Sequence, residues 1–577
     1  LADTATLTAT VKDAGGTVIP GATVTWTSSD MTLATVSSAG LVTSKGNGTA
    51  TITATSEAAS KAATVTVSQV ASSITLSADS LDVLVSDTAT IIATVKDAND
   101  STIVDPAVTW TTSSSSLATV SSAGLVTGVA AGSVQIAATH AGFSDTTIVT
   151  ALVGKSGIMT SNETWSTFIK LTDDFKVSDG VTLTIDAGTV IKVTEGEDIQ
   201  VLVEGTLLSQ GTSGNEIVFR GTSGSSEKGT WQGIRFRNTT HNAANQNGWV
   251  AGSKIEYTKV RNAKTGVYSY NQGLYVNNSE FKYNLEAIEL RKTDSVYIAN
   301  STFTDNTYGV WTEYQVYDEP DSYGHFNDAW FNDNTFISNQ TGIRIAPNQT
   351  QVNNFNFTDN RFENNSSHGI EFGTGGYGIN GGSATFSSND FVDNGTALGL
   401  DHYAGGSGWD LEITANGFGR NTTALRLEGV RGDTDITSNF FYLNTTTLTS
   451  STQNTDFTFN ENIVYKDVDV FLFPVISGYQ SAQPSITENL IDTNSGKILD
   501  IKGKISVLTF EQNVVIGSTS GSAWFYNETS NNFTFSSNFI DWGTSTEAAK
   551  VYDGSDNFDY GTITFSNNLR ISSNVLQ

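Results

Sequence analysis

The apolar positions of this chain return in a short alternating phrase that opens on a small residue. It reads Gly233-Ile234-Arg235-Phe236, Gly266-Val267-Tyr268-Ser269, Ala287-Ile288-Glu289-Leu290 and Gly309-Val310-Trp311-Thr312, and then Gly342-Ile343-Arg344-Ile345, Gly369-Ile370-Glu371-Phe372, Ala397-Leu398-Gly399-Leu400 and Ala424-Leu425-Arg426-Leu427. Such alternation predicts a strand with one buried face. Its return at steps of 21 to 33 residues predicts a solenoid, in which every coil contributes the same strand. Stacking then sets Val267, Ile288, Val310, Ile343, Ile370, Leu398 and Leu425 into the core. The residues between them form outward columns. One runs Arg235, Tyr268, Glu289, Trp311, Arg344, Glu371, Gly399, Arg426. The other, two residues on, runs Arg237, Tyr270, Arg291, Glu313, Ala346, Gly373, Asp401, Glu428.

The front of the chain follows a different pattern. Residues 1–69 and 85–153 match without a gap at an offset of 84: Val24-Thr25-Trp26-Thr27 returns as Val108-Thr109-Trp110-Thr111, and Leu33 to Thr43 returns unchanged as Leu117 to Thr127. Short runs of alternating apolar and Thr/Ser positions between Gly, Ser and Asp turns predict two small β-sandwiches. Trp26 and Trp110 sit mid-strand, which favours core packing over a sugar platform. Before Val85 the second copy carries an extra strand, Ser73 through Leu84, that the first lacks. The first sandwich is therefore expected to have an open edge, filled by a strand further upstream in a longer polypeptide, with donation by a neighbouring chain as the alternative.

Asparagine marks the change of domain, since only Asn47 and Asn99 precede residue 160. Asn tolerates left-handed turns and can stack at the repeated corners of a solenoid. Thus the sequence predicts an all-β protein in three parts: small β-sandwiches at 1–69 and 70–153, then a solenoid over 154–577, which the resemblances below identify as Ig-like domains and a parallel β-helix.

The phrase VTWTSSD…LATVSSAGLVT…GTATITAT in both copies resembles bacterial Ig-like domains of group 2. That resemblance implies a spacer role in secreted and cell-surface proteins. The repeated coils, including Asn360-Arg361-Phe362-Glu363-Asn364-Asn365 before Gly369-Ile370, resemble the right-handed parallel β-helix of the pectin-lyase-like superfamily and its NosD-like members. This second resemblance implies the fold rather than an activity. The polygalacturonase-type phrases do not occur in order, nor does a lyase arrangement of acidic calcium ligands with a basic residue.

Composition narrows the partners. The net charge is −29 with only 15% charged residues, which argues against nucleic acid. There is no cysteine, so disulfides and thiolate metal sites are excluded. No apolar run is long enough for a membrane-spanning helix. An extracellular or cell-surface location is expected.

Candidate chemistry lies in the outward columns. Tyr268, Tyr270, Glu289, Arg291, Trp311, Glu313, Arg344, Arg426 and Glu428 form the candidate substrate-binding surface: aromatic rings stack on sugar faces, while Arg and carboxylates hold hydroxyls and uronates. The competing reading is a solvated face with cross-strand ion pairs. Glu371 and Asp401 are the candidate catalytic pair, on adjacent coils at a separation of about 6–9 Å suited to an inverting glycosidase. Asp318, Glu319 and Asp321, in an insertion after Glu313, could bind calcium, the only cofactor suggested, although their spacing matches no EF-hand. The five histidines show no metal-ligand spacing.

The favoured function is that of a structural or adhesive surface protein that binds a glycan or cell-surface polysaccharide, or assembles into a filament, sheath or layer through open β edges at either end. The alternative is a secreted polysaccharide lyase or glycoside hydrolase acting on an acidic polysaccharide.

Overall fold

The computed structural model describes residues 1–196, 198–222, 226–237, 243–293, 295–313, 326–346, 352–373, 382–401, 409–428, 433–450, 457–473, 484–493, 498–501, 507–516, 525–527, 532–536, 538–541, 563–566, 569–572 and 575–576. Every regular element among them is a strand, and none is a helix able to cross a membrane. The chain divides into two compact units, Leu1–Gly154 and Lys155–Gln577.

In the first unit the two repeats build small, mostly antiparallel sandwiches. Thr25–Ser28 pairs with Gly48–Ser56, which pairs with Ala59–Val67, and Leu41–Ser44 lies between Thr4–Thr6 and Ala34–Val36. Ala34, Val42, Ala50 and Ile52 fill the space between them, and Trp26 packs against that cluster. The second repeat places Ala118, Val126, Val134 and Ile136 at the matching positions, with Trp110 against them. Both tryptophans thus pack against the core. The repeats differ at their edges. Phe143–Met159 pairs with Gly132–His140 on one side and Ser80–Leu84 on the other, whereas among the described residues Ala59–Val67 pairs only with Gly48–Ser56.

In the second unit each full coil has three strands, every one parallel to its counterpart in the next coil. Thr265–Tyr270 pairs with Glu286–Arg291, Leu274–Asn277 with Val296–Ala299, and Glu280–Lys282 with Thr302–Thr304. Inward positions stack like on like. Phe281, Phe303, Phe336, Phe362, Phe391, Phe418 and Phe441 form a column whose ring centroids are 4.5–5.1 Å apart, close to the ~4.8 Å rise of stacked strands.

The two turns that follow the second and third strands each bury a polar column. Asn334, Asn360, Asn389, Asn416, Asn439, Asn462, Asn489, Asn513 and Asn538 form one ladder. Each Nδ2 from Asn334 to Asn513 donates to the Oδ1 of the next coil's asparagine at 2.9–3.2 Å. Earlier coils replace it by hydroxyls: Ser209 bonds Thr258, and Ser301 donates its backbone N–H to Asn334. A second ladder runs from Asn284 through Asn306, Asn339, Asn365, Asn394 and Asn421 to Asn444, and ends on the carboxylate of Asp467. Each asparagine also donates to a carbonyl of the coil before, as Asn389 does to Phe357 at 2.8 Å. The side chain thus satisfies buried turn groups that no strand partner reaches.

Candidate functional site

The register of the first strand of each coil makes one outward column literal. Pairing runs Arg235↔Tyr268↔Glu289↔Trp311↔Arg344↔Glu371↔Gly399↔Arg426. In the other column Tyr270 stands beside Arg291, Glu313 beside Ala346 and Asp401 beside Glu428.

The column is not uniform along its length. At its lower end Tyr268 and Glu289 are each 5% exposed, so this stretch is not a solvated face. The Arg235 guanidinium lies 4.1 Å from the Tyr268 ring centroid, and Arg291 bonds Glu289. Tyr270 lies under Lys292. Thr265 Oγ1 donates to both Glu286 and Glu289. Burial pushes the Glu286 carboxyl up, and the neighbouring Glu289 adds to the effect.

The middle of the column is more open. Trp311 stacks on Tyr308 with centroids 5.5 Å apart. Arg344 donates to the Tyr308 hydroxyl at 3.0 Å and holds its Nε 3.4 Å from Glu371. Arg426, two coils above Glu371, brings Nη2 to 3.9 Å from the same carboxylate, and its Nε stands 3.9 Å from Glu428. That reach is possible because Gly399 lies between. A Cβ there would meet His368 Cδ2 at 3.2 Å and Arg426 Nη2 at 3.3 Å. Two guanidinium groups therefore bracket a single carboxylate beside an aromatic step.

His368 completes the cluster. Ser367 Oγ lies 2.8 Å from its Nδ1, and its Nε2 is buried with no hydrogen-bond partner among the described residues. Burial, with Arg426 and Arg344 nearby, pushes its pKa down to about 4, so the ring is neutral at physiological pH. Burial also raises the Glu371 carboxyl, and the two arginines oppose that shift.

His368 belongs to a third column that the alternation does not reveal. The pairs Thr265↔Glu286↔Tyr308↔Thr341↔His368↔Thr396 run beside the first column, three residues earlier in each coil. An odd offset hides this neighbour from a period-two reading. The recurrence of a polar or aromatic residue just before each small residue is the signal that could have found it.

Asp318, Glu319 and Asp321 lie outside the described residues, as do the side chains of Glu313 and Asp401, and with the latter the spacing expected of Glu371 and Asp401. Among the described residues no group of three or more His, Asp or Glu is arranged to hold a metal ion.

The bacterial Ig-like domain (group 2) family matches twice, over residues 2–67 and 70–151, and the right-handed β-helix region matches residues 217–391. Among solved structures, domains 4 and 5 of the S-layer protein SbsC are 26% identical to this chain. The match covers 25% of this chain and 80% of that one, with a TM-score of 0.16. A longer SbsC structure, domains 1–6, is 27% identical over 26% of this chain, with a TM-score of 0.16, and the chain spans only 23% of its length. The A-module of the Azotobacter vinelandii mannuronan C-5 epimerase AlgE6 is 14% identical. It covers 73% of this chain and 91% of that one, with a TM-score of 0.30. Scores this low carry no argument about function. No curated protein matches the chain.

Proposed function

We propose that this chain, two bacterial Ig-like domains followed by a right-handed β-helix, is an extracellular surface protein whose Ig-like domains act as spacers and whose β-helix adheres to an acidic polysaccharide. The domain set fits a surface protein. The observation that carries the finer reading is the arrangement of Arg344 and Arg426 around Glu371 beside the Trp311–Tyr308 step. Two guanidinium groups directed at Glu371, with Glu428 beside one of them, gather N–H donors at one place on a molecule whose net charge is −29. Such a pair suits a uronate carboxylate, which a fork of N–H donors can hold at two points. The adjacent indole offers a face for the sugar ring.

A second reading, a lyase or hydrolase on the same polymer, draws support from the neighbourhood of Glu371, whose carboxyl burial raises, and the neutral His368 ring, two groups of the kinds that exchange protons with a substrate. Titration of the purified chain with polygalacturonate and alginate fragments tests the adhesive reading. Binding is expected to weaken with salt, and by about tenfold or more in Arg344→Ala and in Arg426→Ala. Equal binding by wild type and both variants would overturn it. Release of reducing ends or unsaturated uronates, lost in Glu371→Gln, would establish the enzymatic reading instead.

A further inference from the structure

The second strand of each coil builds a different sheet, away from the arginine cluster, and this sheet carries its own aromatic run. Tyr275 pairs with Tyr297, which pairs with Trp330, and the next coil continues with Asn356. The two tyrosine rings are stacked 5.5 Å apart and within 7° of parallel. Over this face folds a hairpin of Ala243–Asn245 and Gly248–Ala251. It comes down closely: a Cβ at Gly248 would lie 3.4 Å from the Tyr275 ring and 4.0 Å from that of Tyr297. Between hairpin and sheet is a recess of about 520 Å³ lined by Asn245, Gln246, Asn247, Asp328, Trp330, Asn354 and Asn356.

The strands beneath the recess are deformed in a matched way. Asp328 and Asn354 have φ of 57° and 56°, left-handed values that cost a non-glycine residue free energy. Both lie inside strands, Phe326–Asn332 and Val352–Thr358, between the regular pairs Asn327↔Asn353 and Ala329↔Phe355. A local break of this kind re-aims a side chain, and such breaks gather at functional sites. Here it sets both side chains along the recess, where Asn354 Nδ2 donates to Asp328 Oδ1 at 2.8 Å. Asn356 Nδ2 in turn donates to the Asn354 carbonyl at 2.9 Å. The backbone N–H of Asn247 bonds the Asn245 side chain across the hairpin tip.

We propose that this recess binds a neutral saccharide. Its volume falls within the range of small-ligand sites, about 300–1,000 Å³. The lining offers one indole face for the C–H side of a sugar ring and five carboxamides, each able to donate to and accept from hydroxyls. Among the described residues its lining carries no cationic side chain, and Asp328 adds a negative charge, so an anionic glycan is disfavoured. This ligand class differs from the one proposed for the arginine cluster, and the inference does not rest on that site.

Affinity electrophoresis of the full chain tests it, using gels that contain dextran, mannan, galactan or xylan, with a polygalacturonate gel alongside. At least one neutral polymer is expected to retard the protein, at low and at high salt alike. Trp330→Ala is expected to weaken that retardation about tenfold while leaving polygalacturonate binding unchanged. Gln246→Ala with Asn247→Ala, on the exposed hairpin tip, provides a variant that leaves the sheet intact and is expected to weaken it also. Arg344→Ala is expected to have no effect on the neutral polymer. Absence of retardation by all four neutral polymers would overturn the proposal. So would retardation unaltered by both the Trp330 and hairpin variants, or retardation abolished by Arg344→Ala.

Discussion

Two titratable residues, the buried Asp467 and the half-buried His368, give the β-helix opposing responses to pH. Burial pushes the Asp467 carboxyl up to about 6, against the hydrogen bonds it accepts from Thr447 and Asn444. A raised carboxyl keeps its proton in the folded chain after the unfolded chain has released it. Its contribution to stability is therefore greatest below 3.8 and is lost as pH rises through about 6, a change of about 3 kcal/mol. His368 acts in the reverse sense. Its folded value is lowered to about 4, so its contribution is present above 6.5 and lost as pH falls from 6.5 through 4. Each residue masks part of the other's slope. Asp467→Asn is expected to make the chain more sensitive to acid than wild type over that window, and His368→Asn less sensitive, as read from urea midpoints at several pH values. Gly399 invites a steric test. Gly399→Val would press on His368 and Arg426, move Arg426 from Glu371 and weaken binding of acidic polymer without unfolding the coil.

At the scale of the element, the asparagine ladders hold the turns as the paired strands hold the faces. Asn389 is 1% exposed and accepts from both the backbone N–H and the Nδ2 of Asn360. Asn389→Leu would strand those two donors and the Phe357 carbonyl. With each buried orphan worth about 1–3 kcal/mol, a loss of ~3 kcal/mol or more is expected in denaturant melts. Much of this architecture was legible beforehand. Alternation around Gly266, Ala287 and Gly309 placed the strands, their register and the Arg344–Glu371–Arg426 column, because a buried face admits only one phase. The abundance of Asn after residue 160 announced ladders at the corners. Three features escaped. The His368 column sits at an odd offset. The left-handed Asp328 and Asn354 break the very alternation by which strands are read. Asp467, one carboxylate among many in sequence, owes its character to burial at the end of a ladder, which only the fold supplies.

For the whole molecule, the two compact units are expected to respond separately to core damage. Ile136 is fully buried in the second sandwich, and Ile136→Ala should cost about 2–5 kcal/mol. Calorimetry should show the loss in the transition of the Leu1–Gly154 unit, with that of Lys155–Gln577 unmoved. Within the long unit, the ladders also bear on how such a chain can change size. Every rung takes its bond from the coil below and passes one to the coil above, so successive coils are interchangeable at their joints. Excising residues 395–421, one full period, would let Asn394 donate to Asn444 as Asn421 does now, and a shorter chain should fold. Excising half as many residues would set phenylalanines against asparagines and should not. Length in this protein is thus a count of coils, lengthened or shortened by about 4.8 Å at a time, and a lineage can alter how far it reaches by adding or losing whole coils away from the Glu371 cluster.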